Sequence, residues 1–171
     1  MKQLFLFDNN NQQEPIYKKS TLWQLYVDGA SRNNPGPSGA GIYIVKNGVP
    51  AEKHGFYLGN RTNNQAEYLA LLLGLFFLKK QINNSDDFVE IVSDSQLLVR
   101  QLLGSYRVKN SELQALHIFA KHMLATIKHK IIHVLRDKNT IADKLANKGV
   151  NEKIGVPDEF KKILAAHHIM F

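Results

Sequence analysis

Apolar residues fall into short continuous runs and longer helix-spaced runs, separated by polar punctuation. Leu22–Val27 is almost continuously apolar, as in a strand buried on both faces, and it stops at Asp28-Gly29. Gly39–Val45 and Ala51–Leu58 read as two further strands around the turn Lys46-Asn47-Gly48, the pattern of a hairpin. Asn33-Asn34-Pro35-Gly36-Pro37, just before them, is a loop by composition. From Asn63 to about Gln81 the spacing predicts a helix, apolar on every side over Tyr68–Leu78 and so suited to a place between a sheet and another helix. Phe88–Ser93 is the next strand, and Ser95–Leu103 a short helix stopped by Gly104. Ser111-Glu112-Leu113-Gln114 has the form of a capping box, and the helix behind it carries Leu113, Leu116, Ala120, Leu124 and Ile127 on one face. Lys130–Leu135 reads as a last strand and Thr140–Lys148 as a last helix, closed by Gly149.

Strands first, then alternating helices and strands, predict an α/β fold: a mixed sheet with helices on both faces. A chain of 171 residues, 44% hydrophobic, suits one domain with a substantial core, here residues 21–150. Residues 1–20 read as a flexible tail, an apolar pentamer followed by a polar stretch, and residues 151–171 as a C-terminal tail or short helix. The absence of cysteine excludes disulfides and cysteine-based zinc sites. The longest apolar run, Tyr68–Leu78, is too short to span a bilayer, and the start of the chain lacks a secretory pattern. A soluble, cytoplasmic monomer is expected, with no membrane partner.

The formal charge of +7 is unevenly spread. Residues 96–153 hold eleven Lys/Arg against four Asp/Glu, whereas the rest of the chain balances at eleven against eleven. A positive half of this kind suits a polyanionic partner.

Against that background, four carboxylates stand at the edges of hydrophobic segments: Asp28, Glu67, Asp94 and Asp143. A charge there is costly unless compensated, and oxygen-rich sites suit magnesium or manganese. If the strands ending near Asp28 and Asp94 are parallel neighbours, both carboxylates reach the sheet edge where open α/β sheets bind ligands. Glu67 and Asp143 would join them from flanking helices. Such a set points to a two-metal nuclease.

Asp28-Gly29-Ala30-Ser31 with Asn34-Pro35-Gly36-Pro37, then Thr62-Asn63-Asn64-Gln65-Ala66-Glu67, Asp94-Ser95-Gln96 and Ala142-Asp143-Lys144-Leu145-Ala146, together resemble ribonuclease H of type 1, in that family's order and spacing. The resemblance covers about Leu22 to Val150. It implies a five-stranded mixed sheet and hydrolysis of the RNA strand of RNA–DNA hybrids, giving 5′-phosphate and 3′-hydroxyl ends. By matching positions it implies two magnesium ions, with manganese as a substitute. Asp28 would bridge them, Asp143 would complete the site of one, and Glu67 and Asp94 would hold the other. Gly29, Ala30 and Ser31 would contact 2′-hydroxyls, and Asn34, Asn64 and Gln96 the minor groove. Thr62 and Asn63 match positions near a DNA-strand phosphate.

Two features common in the family are missing. The loop before the last aspartate has no histidine, and Arg136 or Asn139 is expected to serve there instead. No basic protrusion separates Leu103 from Ser111, leaving Arg107 and Lys109 to meet the DNA strand. The shortfall in binding has a candidate remedy in Gln3-Leu4-Phe5-Leu6-Phe7, which resembles the peptide by which bacterial proteins dock on the sliding clamp. Gln3, Leu4, Leu6 and Phe7 would make that contact. The competing readings are a catalytically silent nucleic-acid-binding module of the same fold, disfavoured by four intact carboxylates, and the nuclease domain of a retroelement polymerase or fused phosphatase, for which the chain is expected to leave no room.

Overall fold

A computed structural model of the chain describes residues 20–171. β1 (Leu22–Ser31), β2 (Gly36–Lys46) and β3 (Val49–Arg61) form an antiparallel meander. β4 (Phe88–Ser93) and β5 (Lys128–His133) continue the sheet in parallel on the other side of β1, in the order β3-β2-β1-β4-β5. This is the expected five-stranded mixed sheet. Trp23, Leu25 and Val27 alternate along β1 toward one face and are buried there, while Gln24 and Tyr26, on the other face, are only half-buried. The expectation of a strand buried on both faces is therefore corrected, because helices cover the two faces unequally.

The main core lies under α1 (Asn63–Gln81), the helix the sequence marks out with the same bounds. Thr62 caps it through a reciprocal box: its hydroxyl accepts from Gln65 N at 3.2 Å, and its own N–H donates to Gln65 Oε1 at 2.8 Å. Every residue from Ala66 to Phe76 is buried, since α1 meets β1 and β2 on one side and further helices on the other. Those helices are α2 (Gln96–Leu102), α3 (Ser111–Leu124) and α5 (Asp158–Ala166), the last packing Phe160 against Phe76 at 5.6 Å between ring centroids. α4 (Thr140–Glu152) lies on the opposite face, across β1, β2 and β3.

Several boundaries differ from those read in the sequence. β1 does not stop at Asp28 but continues to Ser31, paired with β2. The cap of α3 is Asn110, whose side chain accepts from Leu113 N at 2.9 Å, so Ser111 is the first helical residue rather than the cap. β5 starts at Lys128 and ends at His133, not Leu135. α4 is not closed by Gly149; it runs on to Glu152, and Lys153 makes the left-handed turn at φ 51°. Gly149 instead allows close packing, because a Cβ there would sit 2.4 Å from the Phe56 carbonyl oxygen. Beyond residue 150 the chain still builds the core, with Phe160 and Leu164 both fully buried in the same cluster as α1. Among the described residues, no helix is long and apolar enough to cross a membrane.

Candidate active site

Strand register brings the first two carboxylates together. β1 and β4 run in parallel up to the pair Tyr26↔Val92, so Asp28 and Asp94 each lie two positions past the last pair of neighbouring strands. Asp28 is still inside β1, held by its pairing with Gly41 of β2, while Asp94 follows the last residue of β4. α1 brings the third. It approaches β1 so closely that a Cβ on Gly29 would lie 2.2 Å from Glu67 N, and only glycine permits that contact. Gly29 N then donates to Glu67 Oε2 at 3.1 Å. Asp143 comes from the first turn of α4 and accepts from Arg136 Nη2 at 2.9 Å, Arg136 lying in the 3-10 turn Arg136–Lys138.

One cleft is lined by Asp28, Gly29, Ala30, Ser31, Asn63, Glu67, Asp94, Gln96, Arg136 and Asp143, all expected at the site. Ser95, Leu97 and Asn147 line it as well and escaped the sequence reading. Asn147 had a signal, being four residues after Asp143 and so on the same helix face. Asn34, Thr62 and Asn64 lie instead in an adjoining recess with Gln65, Asn110, Glu112 and Leu113. Arg107 and Lys109 are exposed on the connection between α2 and α3. Asn139 is not a substrate-facing residue of the cleft. It is 1% exposed, and its Nδ2 donates to Asp94 Oδ1 at 2.7 Å and to the Val27 carbonyl at 2.9 Å. Of the two candidates for the missing histidine, Arg136 alone reaches the cleft.

The electrostatics are unbalanced. Burial first, then the charges of Asp94 and Asp143, push the Asp28 carboxyl up to about 7. Burial likewise raises Glu67 well above the usual carboxylate range, with Asp28 and Asp94 adding to it. Arg136 opposes these charges and has its own pKa raised by its hydrogen bond to Asp143. Among the described residues, no three His, Cys, Asp or Glu side chains are gathered as a ready-made metal-ligand set. Internal donors hold three of the carboxylates: Gly29 on Glu67, Asn139 on Asp94 and Arg136 on Asp143. The donor chemistry nonetheless fits a divalent cation, since four carboxylates meet one guanidinium and two resist ionisation until positive charge arrives.

This strand order, with carboxylates just past the point where β1 and β4 cease to pair, defines a ribonuclease H-like α/β protein. A family described as reverse transcriptase-like matches residues 26–149. Ribonuclease HI of Halobacterium salinarum is 38% identical over 130 residues, or 74% of this chain and 63% of that protein. The crystal structure of RNase H1 from the halophilic archaeon Halobacterium salinarum NRC-1 superposes with a TM-score of 0.73 at 35% identity, covering 77% of this chain and 98% of that one. LC11-RNase H1, solved in complex with an RNA/DNA hybrid, gives 0.70 at 32% identity, with 78% and 98% covered. Ribonuclease H of Pseudomonas putida is 33% identical over 146 residues, 75% of this chain and 93% of that protein, so the chain belongs to the ribonuclease H family; it spans about 63% of the length of the Halobacterium relative.

Proposed function

We propose that this protein is an endoribonuclease that hydrolyses the RNA strand of RNA–DNA hybrids and leaves 5′-phosphate and 3′-hydroxyl ends. The observation that carries the reading is the convergence of Asp28, Glu67, Asp94 and Asp143 on one cleft, with Asp28 held near 7 by burial and by Asp94 and Asp143. The likeness to LC11-RNase H1, a protein solved with a hybrid, supports the choice of substrate.

Two magnesium ions, or manganese in their place, are the cofactor this reading requires, and Asp28, Glu67, Asp94 and Asp143 would hold them. Bound there, divalent cations would stabilise charge on both the attacking and the leaving oxygen of an in-line displacement. In the overall reaction a water oxygen bonds to phosphorus, the bond from phosphorus to the 3′ oxygen breaks, and the 3′ oxygen takes up a proton.

The protein's own groups position the strands. Asn139 ties Asp94 to the Val27 carbonyl of β1, and Gly29 N–H fixes the Glu67 carboxylate. Arg136 is exposed beside Asp143, where its fixed positive charge offsets the carboxylates and draws in a phosphate. Gly29, Ala30 and Ser31 line the cleft where 2′-hydroxyls would lie, the groups by which RNA is told from DNA. Asn34, Asn64 and Gln96 offer amides that both donate and accept, which suits contact with a minor groove of any sequence. Thr62 and Asn63 would meet a DNA-strand phosphate, with Arg107 and Lys109 further along that strand.

Gln3, Leu4, Leu6 and Phe7 lie outside the described residues. In this reading they tether the nuclease to a bacterial sliding clamp, Leu6 and Phe7 filling an apolar pocket and Gln3 bonding its rim. The reaction is tested with end-labelled hybrid, duplex RNA and single-stranded RNA in magnesium or chelator. Cleavage confined to the hybrid, dependent on magnesium and leaving 3′-hydroxyl ends, is the expected result.

A further inference from the structure

α4 rests on Gly39, Gly41 and Gly55, at the end of its sheet face nearest the carboxylates. Past the start of that helix, the same face carries the row Lys53–Tyr43–Tyr26 across three strands, fixed by the pairing of Tyr43 with both neighbours. The two tyrosine rings stand side by side with centroids 5.6 Å apart, and each is only half-buried. Lys53 Nζ lies 5.4 Å from the centre of the Tyr43 ring. Between these rings and the start of α4 runs a groove of about 160 Å³, lined by Tyr26, Tyr43, Lys138, Asn139, Thr140 and Ile141.

Charge and position limit what such a groove can hold. On this face Lys130 is neutralised by Glu90 at 2.6 Å, while Lys138 has only an exposed pairing with Asp137 at 3.8 Å. Lys53 and Lys138 therefore present positive charge on either side of two aromatic faces. The groove also adjoins the cleft, because Asn139 lines the one and bonds Asp94 in the other. Every nucleobase has a face that stacks on an aromatic ring, and phosphates between bases pair with lysine at any sequence.

We propose that Tyr26, Tyr43, Lys53 and Lys138 form a stacking platform for single-stranded nucleic acid running out of the cleft, with bases on the rings and phosphates beside the lysines. It rests on the hybrid reading of the cleft and extends it, since a hybrid with a frayed or unpaired end would gain a second hold. A second copy of the chain is a poorer occupant, because it would bring two lysine-bearing faces together.

The test uses the full chain and a labelled oligodeoxythymidine of about sixteen nucleotides, within the range of known single-strand sites. Anisotropy titrations compare the wild type with Tyr43→Ala, Tyr43→Phe and Lys53→Glu, each checked for fold by circular dichroism. Tyr43→Ala should weaken strand binding about fivefold or more, as loss of a stacked base does, while Tyr43→Phe stays near wild type. Lys53→Glu should lower the log–log salt slope by about 0.7 or more, the share of one single-strand phosphate. Cleavage of a blunt hybrid should be unchanged in all three. Strand affinity equal across the variants overturns the platform, as does blunt-hybrid cleavage falling in step with it, or a dimer in the wild type that Tyr43→Ala dissociates. If the strand binds through Tyr43 but no hybrid is cut, the platform stands and the nuclease reading fails.

Discussion

The side-chain nitrogen of Asn139 is shared between Asp94 Oδ1, at 2.7 Å, and the carbonyl oxygen of Val27, at 2.9 Å. One amide thus ties the start of α4 to β1, at Val27, and to Asp94 just past the end of β4. Amide nitrogen has two hydrogens to give, so it can hold a carboxylate and a backbone carbonyl together, which a hydroxyl cannot.

Replacing Asn139 with alanine removes both donors and leaves two acceptors without them. The expected cost is about 1–3 kcal/mol of stability, read from urea denaturation. Hybrid cleavage should fall about 10–100-fold, the range typical of groups that orient metal ligands. A variant with unchanged rate and stability would mean that Asp94 is held without this amide.

Without a divalent cation, stability should depend on pH in a definite direction. Asp28 is held at about 7 in the fold against 3.8 ordinarily, so between those values the folded protein keeps a proton that the unfolded chain has lost. The stabilising contribution is complete below 3.8 and is lost as pH rises through about 7. Glu67, also raised, acts in the same direction. In chelator, Tm should therefore be lower at pH 8 than at pH 5, with Asp28→Asn flattening the difference. Magnesium should raise Tm more at pH 8, where it does not compete with protons. A Tm in chelator that rises from pH 5 to pH 8, in the wild type and in Asp28→Asn alike, would contradict the burial of an uncompensated charge.

The parts of this fold legible in the sequence are those governed by local signals. α1 keeps its predicted bounds, Asn63–Gln81, because Thr62 and Gln65 cap it reciprocally and its apolar content is unbroken. β4 likewise keeps Phe88–Ser93. Asp28, Glu67, Asp94 and Asp143 were legible as candidates, and the cleft gathers all four. Tertiary contacts explain the misreadings. Gly149 looks like a stop but serves close packing on Phe56, and the short helix expected after residue 150 is present as α5 but carries Phe160 into the core. Asn139 has the composition of a loop residue, and only the meeting of three elements shows it buried behind Asp94.

Binding of hybrid should weaken steeply with salt, because the positive excess is concentrated in residues 96–153. Each phosphate contact adds a log–log slope of about 0.9 on a B-like duplex. Reversing the charges of Arg107 and Lys109 together should reduce the slope and raise KM more than it lowers kcat. An unchanged slope would place the DNA strand elsewhere.

The tether is tested apart from catalysis by titrating a labelled peptide of residues 1–12 against a bacterial sliding clamp. The peptide should bind with micromolar affinity, and the triple change Gln3→Ala, Leu6→Ala, Phe7→Ala should abolish it. Equal binding by both peptides, or none by either, rejects docking through this segment.

Metal-dependent cleavage at this cleft is tested most directly by the Asp94→Asn variant, assayed on a labelled RNA–DNA hybrid at millimolar magnesium beside the wild type. The substitution keeps the shape of the side chain and removes one of the four charges facing the cleft. The wild type should cut the RNA strand, and the variant should fold normally but be slower by orders of magnitude. A variant that turns over hybrid at the wild-type rate would rule out Asp94 as part of the catalytic site.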